Sequence, residues 1–81
     1  MGNRYFTKEG LEKLKQELEE LRTINRQEIA ERLHEAASHG DLSENFAYQE
    51  TREEQDRLEA RILELEAIVR SAIITKGDTL Q

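Results

Sequence analysis

The sequence has no cysteine, no proline and no tryptophan, and its aromatic residues are two tyrosines and two phenylalanines. Without thiols it forms no disulfide, no thiolate zinc site and no cysteine nucleophile, and the redox compartment is left open by that criterion. Without proline, and with four glycines, little stands in the way of long helices. No apolar run approaches the length of a membrane span and no signal-peptide pattern opens the chain, so a cytoplasmic protein with no membrane partner is expected. Positive charge is scarce as well: 12 Lys and Arg stand against 18 Asp and Glu, a formal net charge of −6. The surface as a whole cannot attract nucleic-acid phosphates, so any such contact must be local or delegated to a partner.

What the sequence does have is charge and regularly spaced aliphatic residues. A chain of 81 residues makes one domain at most, with little apolar surface to bury and little room for an enclosed pocket. Charged residues are 37% and hydrophobic ones 36%, the profile of long exposed helices rather than of a compact globule. Such polarity also suits disorder, but the Leu and Ile spacing argues against it.

Thr7 can cap a helix while Phe6 before it packs on Leu11, the spacing of a hydrophobic staple, so a first helix is predicted over about residues 8 to 38. Leu11, Leu14, Leu18 and Leu21 fall at alternating steps of three and four, a narrow stripe of the coiled-coil kind. Beyond Leu21 the seam continues through Asn25, Ile29 and Leu33 in steps of four, a stutter that locally unwinds a supercoil. Ser38-His39-Gly40-Asp41 then breaks the pattern, placing a tip at about residues 39 to 43. A second helix is predicted over about residues 44 to 70, with its seam at Tyr48, Thr51, Gln55, Leu58, Ile62, Leu65 and Val69. Two such helices bury their stripes by folding back on each other. The predicted fold is all-α: a long antiparallel two-helix coiled-coil hairpin, on the order of 45 Å long, with a short C-terminal strand-like tail over residues 72 to 81. Nothing in the chain reads as a partner for Ala72-Ile73-Ile74-Thr75. Either a second domain follows, which is the favoured expectation, or the exposed tail supports self-association.

The unusual chemistry sits at the tip, in His39-Gly40-Asp41-Leu42-Ser43-Glu44-Asn45. Spaced three apart, Asp41 and Glu44 are expected on one side of the first turn of the second helix, in the positive end of its dipole. Carboxylates are the ligands Mg²⁺ prefers, yet Asp-x-x-Glu is equally a capping box, and the two roles are compatible. A pair of exposed acids holds Mg²⁺ weakly unless a partner completes the site. His34 and His39, five apart, do not share a helical face and are read as solvated. Tyr48 reads as seam packing that can also touch RNA, Phe46 as an apolar contact for a partner, and Arg52 as the local phosphate contact or a solvated ion pair.

Gly40-Asp41-Leu42-Ser43-Glu44-Asn45-Phe46-Ala47-Tyr48, followed by Arg52-Glu53-Glu54-Gln55, resembles the Gre family of bacterial transcript-cleavage factors. The similarity extends through Glu28-Ile29 and Glu35-Ala36 upstream and through Glu59-Ala60-Arg61-Ile62 and Leu65-Glu66 downstream, so residues 1 to 81 read as that family's N-terminal coiled-coil domain. The resemblance implies an arm that enters the secondary channel of bacterial RNA polymerase core and acts on the nascent RNA 3′ end in backtracked complexes. By it, Asp41 and Glu44 help hold the second Mg²⁺, shared with the polymerase active site and not bound alone. Gly40, Leu42, Ser43, Asn45, Tyr48 and Arg52 become tip support or RNA contacts. The factor is then not itself an enzyme but stimulates the polymerase's own RNA cleavage. Glu50-Thr51 departs from the family pattern, where two alanines are usual, and adds negative charge near the tip. The family's C-terminal FKBP-like domain has no counterpart in these residues, and weak polymerase binding is expected without it. Two alternatives remain: a non-cleaving regulator of the secondary channel, and a plain helical dimerisation module joined through Leu11 to Leu21.

Overall fold

The computed structural model of the chain describes residues 4–41 and 44–75. The elements run in the order β1 (Arg4–Thr7), α1 (Lys8–Glu20), a π-helical turn (Leu21–Asn25), α2 (Arg26–Ala37), α3 (Phe46–Ser71) and β2 (Ala72–Thr75). The fold is mainly helical, as the periodicity predicts. Thr7 is extended, and its hydroxyl accepts from the Gly10 N–H at 3.0 Å, which starts α1 at Lys8.

Helical geometry continues without a break from α1 through the π turn into α2, since Leu21, Asn25 and Arg26 all keep helical dihedrals. The change of seam step explains the π turn. Three successive steps of four, Leu21 to Asn25 to Ile29 to Leu33, would carry a strict α-helical stripe roughly 120° off its line. Widening one turn by a residue takes back roughly 100° and keeps the stripe facing its partner. Leu18 and Ile29, one on each side of the π turn, are accordingly both buried in the same core. The Thr23 hydroxyl donates to the Glu19 carbonyl at 2.7 Å beside the widened turn.

The core is Leu18, Ile29, Leu58, Ile62 and Leu65, flanked by half-buried Leu14, Leu21, Leu33, Ile68 and Val69. Ile62 and Leu65 are 1% exposed; burying side chains of this size stabilises by roughly 1.5–3 kcal/mol each. Leu11 and Leu18 are buried within the chain, so the stripe that a dimerisation module would offer is largely used internally. Around the core run ion pairs: Arg22, Arg26 and Arg32 meet Glu66, Glu59 and Glu54 in that order. Rising numbers on one side meet falling numbers on the other, so α1–α2 and α3 run in opposite directions. Arg61 bridges Glu64 at 2.9 Å and Glu17 at 3.2 Å, and those hydrogen bonds raise its already high pKa. Exposed pairs of this kind each add little stability; their value lies in register.

One expectation is corrected at the base. The strand at Ala72–Thr75 does have a partner: β1 pairs with it in parallel, Arg4 opposite Ala72, Tyr5 opposite Ile73, Phe6 opposite Ile74 and Thr7 opposite Thr75. Tyr5 and Phe6 carry two signals at once, the lead-in to a capped helix and a β-prone strand, and local pattern exposes only the first. The unpaired strand from which a following domain or self-association was expected is therefore paired within the chain, and residues 76–81 of the expected tail lie outside the described residues.

Candidate functional site at the helix tip

The Cα trace extends 61 Å along its long axis and 24 and 14 Å across it, with the turn between α2 and α3 at the end opposite the sheet. The end of α2 is closed by that turn. Ser38 N–H donates to His34 and Glu35 carbonyls, His39 N–H to Ala36 at 3.1 Å, and the Ser38 hydroxyl to Glu35 at 2.6 Å. These bonds occupy carbonyls that a helix terminus otherwise leaves open. Gly40 follows with φ +118°, a backbone region that side-chain-bearing residues rarely adopt, and the chain turns out of the helix there.

Asp41 and Glu44 are both exposed, and the Glu44 N–H donates to the Asp41 carbonyl at 3.4 Å. Neither lies in the first turn of α3, which corrects the expectation from their spacing. The helix begins at Phe46 rather than near residue 44, and its capping residue is Asn45, whose side-chain oxygen accepts from the Tyr48 N–H at 3.0 Å. A capping box of Asp41 and Glu44 at the start of α3 is therefore not what the structure shows. Asp41, Ser43 and Asn45 are all capable caps by type, and the Asp-x-x-Glu pattern favoured the first. The usable signal was Tyr48, the first seam residue, which stands three places after Asn45 as a capped amide should.

Asn45 does a second thing that spacing did not reveal: its Nδ2 donates to the Ala36 carbonyl at 2.5 Å, tying the start of α3 to the end of α2. Tyr48 is half-buried on the seam beside it, and Thr51 is buried one turn on, its hydroxyl donating to the Ala47 carbonyl at 2.8 Å. Arg52 is exposed and donates to Gln55 Oε1 at 2.8 Å. Phe46 is 80% exposed, on an outer face it shares with Gln49, Glu50 and Glu53. Leu42 and Ser43 lie outside the described residues. The structure thus gathers Gly40, Asp41, Glu44 and Asn45 into one turn, while Tyr48 and Arg52 belong to the α3 stem below it. Among the described residues no group of three or more His, Cys, Asp or Glu forms that could hold a metal ion. No helix among the described residues is long and apolar enough to cross a membrane.

Comparison with known proteins is consistent along nearly the whole chain. Residues 4–74 match the family described as transcription elongation factor, N-terminal. Transcription elongation factor GreA of Clostridioides difficile is 53% identical over 69 residues, which cover 85% of this chain and 43% of that protein. GreA of Thermosipho melanesiensis is 53% identical over 73 residues, 90% of this chain and 47% of that protein, and GreA of Acetivibrio thermocellus 47% identical over 76 residues, 94% and 48%. The chain spans about half the length of these curated relatives. With the tip motif and both helical stretches inside the matched region, the chain belongs to the Gre family of transcription elongation factors, as their N-terminal domain.

Proposed function

We propose that this chain is an antiparallel coiled-coil arm that enters the secondary channel of bacterial RNA polymerase and stimulates cleavage of backtracked RNA. The observation that carries this reading is the placement of Asp41 and Glu44, two exposed acids in the turn at the far end of a narrow helical body 61 Å long. The relatives' name, transcription elongation factor, supplies the process, and the polymerase supplies the reaction centre. The acids fit a shared Mg²⁺ by donor type, since this ion takes one or two carboxylates and completes its shell with water and phosphate. Their number fits as well: two ligands call for a partner to provide the rest.

When bound, the ion activates water and stabilises the leaving oxygen of the RNA phosphodiester. Asp41 and Glu44 would hold that ion through their carboxylate oxygens and would accept hydrogen bonds from the attacking water. Asn45 and Gly40 hold the turn, and the ion-paired helices keep the arm extended. The chain completes the polymerase's site instead of forming one of its own.

The test is cleavage by a backtracked polymerase. Asp41→Asn and Glu44→Gln, each neutral and nearly isosteric, are expected to lower the cleavage rate at saturating factor at least roughly tenfold. If both shorten the transcript as fast as the parent chain, the acids hold no metal. Binding without cleavage by the parent itself would instead identify a channel-occluding regulator.

A further inference from the structure

We infer that Asn45 is a positioning residue, which ties the two stems of the tip together and so sets where Asp41 and Glu44 stand; this rests on the function proposed above. Its side-chain amide is engaged at both ends, Oδ1 by the Tyr48 N–H at 3.0 Å and Nδ2 by the Ala36 carbonyl at 2.5 Å. The two partners force this orientation, because a backbone N–H can be met only by the oxygen and a carbonyl only by the nitrogen. The contact to Ala36 is partly buried and closes a span of nine positions.

Both ends of this tie are anchored. Ala36 is 6% exposed, and its carbonyl also accepts from the His39 N–H at 3.1 Å. The Asn45 carbonyl accepts from the Gln49 N–H at 3.0 Å, which builds the residue into the start of α3. Glu44 is its neighbour in the chain, and the Glu44 N–H is bonded to the Asp41 carbonyl. A continuous series of contacts therefore leads from the buried end of α2 through Asn45 to both acids. Without the amide donor the helix cap can persist while the stems separate, and the acids are displaced although the arm still docks. A displacement on the order of 1 Å from a productive geometry can cost roughly a hundredfold in rate. Direct contact of Asn45 with RNA is the competing role, and it requires the amide to give up or share these partners.

The experiment titrates the 81-residue chain into backtracked RNA polymerase and reads the half-saturating concentration and the saturated cleavage rate separately. Asn45→Ser is the main variant: its hydroxyl still caps α3 but is too short to reach Ala36, and it adds no charge. Asn45→Asp is the second, keeping the capping oxygen at full reach without an N–H donor. Circular dichroism checks that both remain helical. The expected result is a saturated rate lowered roughly ten- to a hundredfold with the half-saturating concentration within about twofold of the parent's. The Mg²⁺ requirement is expected to rise, and Asn45→Ser added to the paired Asp41→Asn and Glu44→Gln substitutions is expected to be no slower than that pair alone. A saturated rate equal to the parent's overturns the inference while a slow Glu44→Gln leaves the proposed function standing. A rise confined to the half-saturating concentration also overturns it, assigning Asn45 to docking or RNA contact. If Asp41→Asn and Glu44→Gln cleave as the parent does, both the function and the positioning role fall.

Discussion

Arg26 grips Glu59 with two parallel hydrogen bonds, Nε to Oε2 at 2.9 Å and Nη2 to Oε1 at 2.8 Å, spanning the helix pair just beyond the π turn. This fork is a geometry that Arg provides and Lys does not. The hydrogen bond from Arg26 holds the Glu59 carboxyl below its ordinary value, with desolvation opposing and the charge of Arg26 assisting. The same bond raises Arg26, which stays charged throughout the accessible range.

The pH dependence follows from that direction. A carboxylate whose folded pKa is depressed adds stability that is present above its unfolded pKa, about 4.3, and is lost as pH falls through the folded value. Glu59→Gln is therefore expected to lower the urea midpoint at pH 7, and the gap from the parent should narrow below about pH 4.3. Raising salt should narrow it at pH 7 as well, because the side chains of Arg26 and Glu59 are 45% and 44% exposed. Midpoints followed by circular dichroism across pH 3 to 8 check this; a gap that is flat with pH would remove the pair from the stability account.

Ile62 is, with Leu65, one of the two side chains on which the helix pair closes most completely. Ile62→Ala is expected to cost about 2–5 kcal/mol, enough to unfold much of a chain this small at room temperature. Leu63→Ala, at a position 66% exposed, should stay within about 0.5 kcal/mol of the parent. Urea unfolding of the two variants side by side separates core packing from general apolar loss.

The π turn should be removable. Deleting the exposed Ile24 brings Leu21 and Leu33 to eleven positions apart, roughly 20° from alignment instead of roughly 120° in a plain α-helix. The deletion variant is expected to remain folded with a continuous α-helix and an unchanged or higher melting midpoint. Deleting Ala60 from α3, where the seam alternates three and four with no slack, should abolish the cooperative transition. Loss of folding in the Ile24 deletion would show that the wide turn has another role.

At Gly40 a Cβ would meet no atom within 4 Å, so space is not what requires glycine there; φ +118° is. Gly40→Ala is expected to destabilise by about 1–2 kcal/mol through backbone strain and to loosen the tip. Amide exchange at His39 and Glu44 reads the local effect and the urea midpoint the global one.

Much of this architecture could be read from short-range rules. The Thr7 cap, the leucine steps, the four-residue steps after Leu21, the stop near Gly40 and the β-branched run at Ala72 each express preferences acting within a turn or two of chain. The acids of the tip were legible too, because residue type and the motif around them do not depend on which helix end they occupy. Their local setting was not: three cap-capable side chains stand at Asp41, Ser43 and Asn45, and spacing alone chose the wrong one.

The amino-acid order by itself determined where the helices start and stop to within a few residues, which faces they bury and which chemistry the turn displays. Folding decided the rest: the pairing of β1 with β2, the use of a π turn to absorb the changed step, and the tie from Asn45 to the end of α2. Each of these depends on a group distant in sequence or across the helix pair, such as the Ala36 carbonyl that engages Asn45 Nδ2. Hydrogen-bond partners at that separation exist only once α2 and α3 have packed, so no local pattern encodes them.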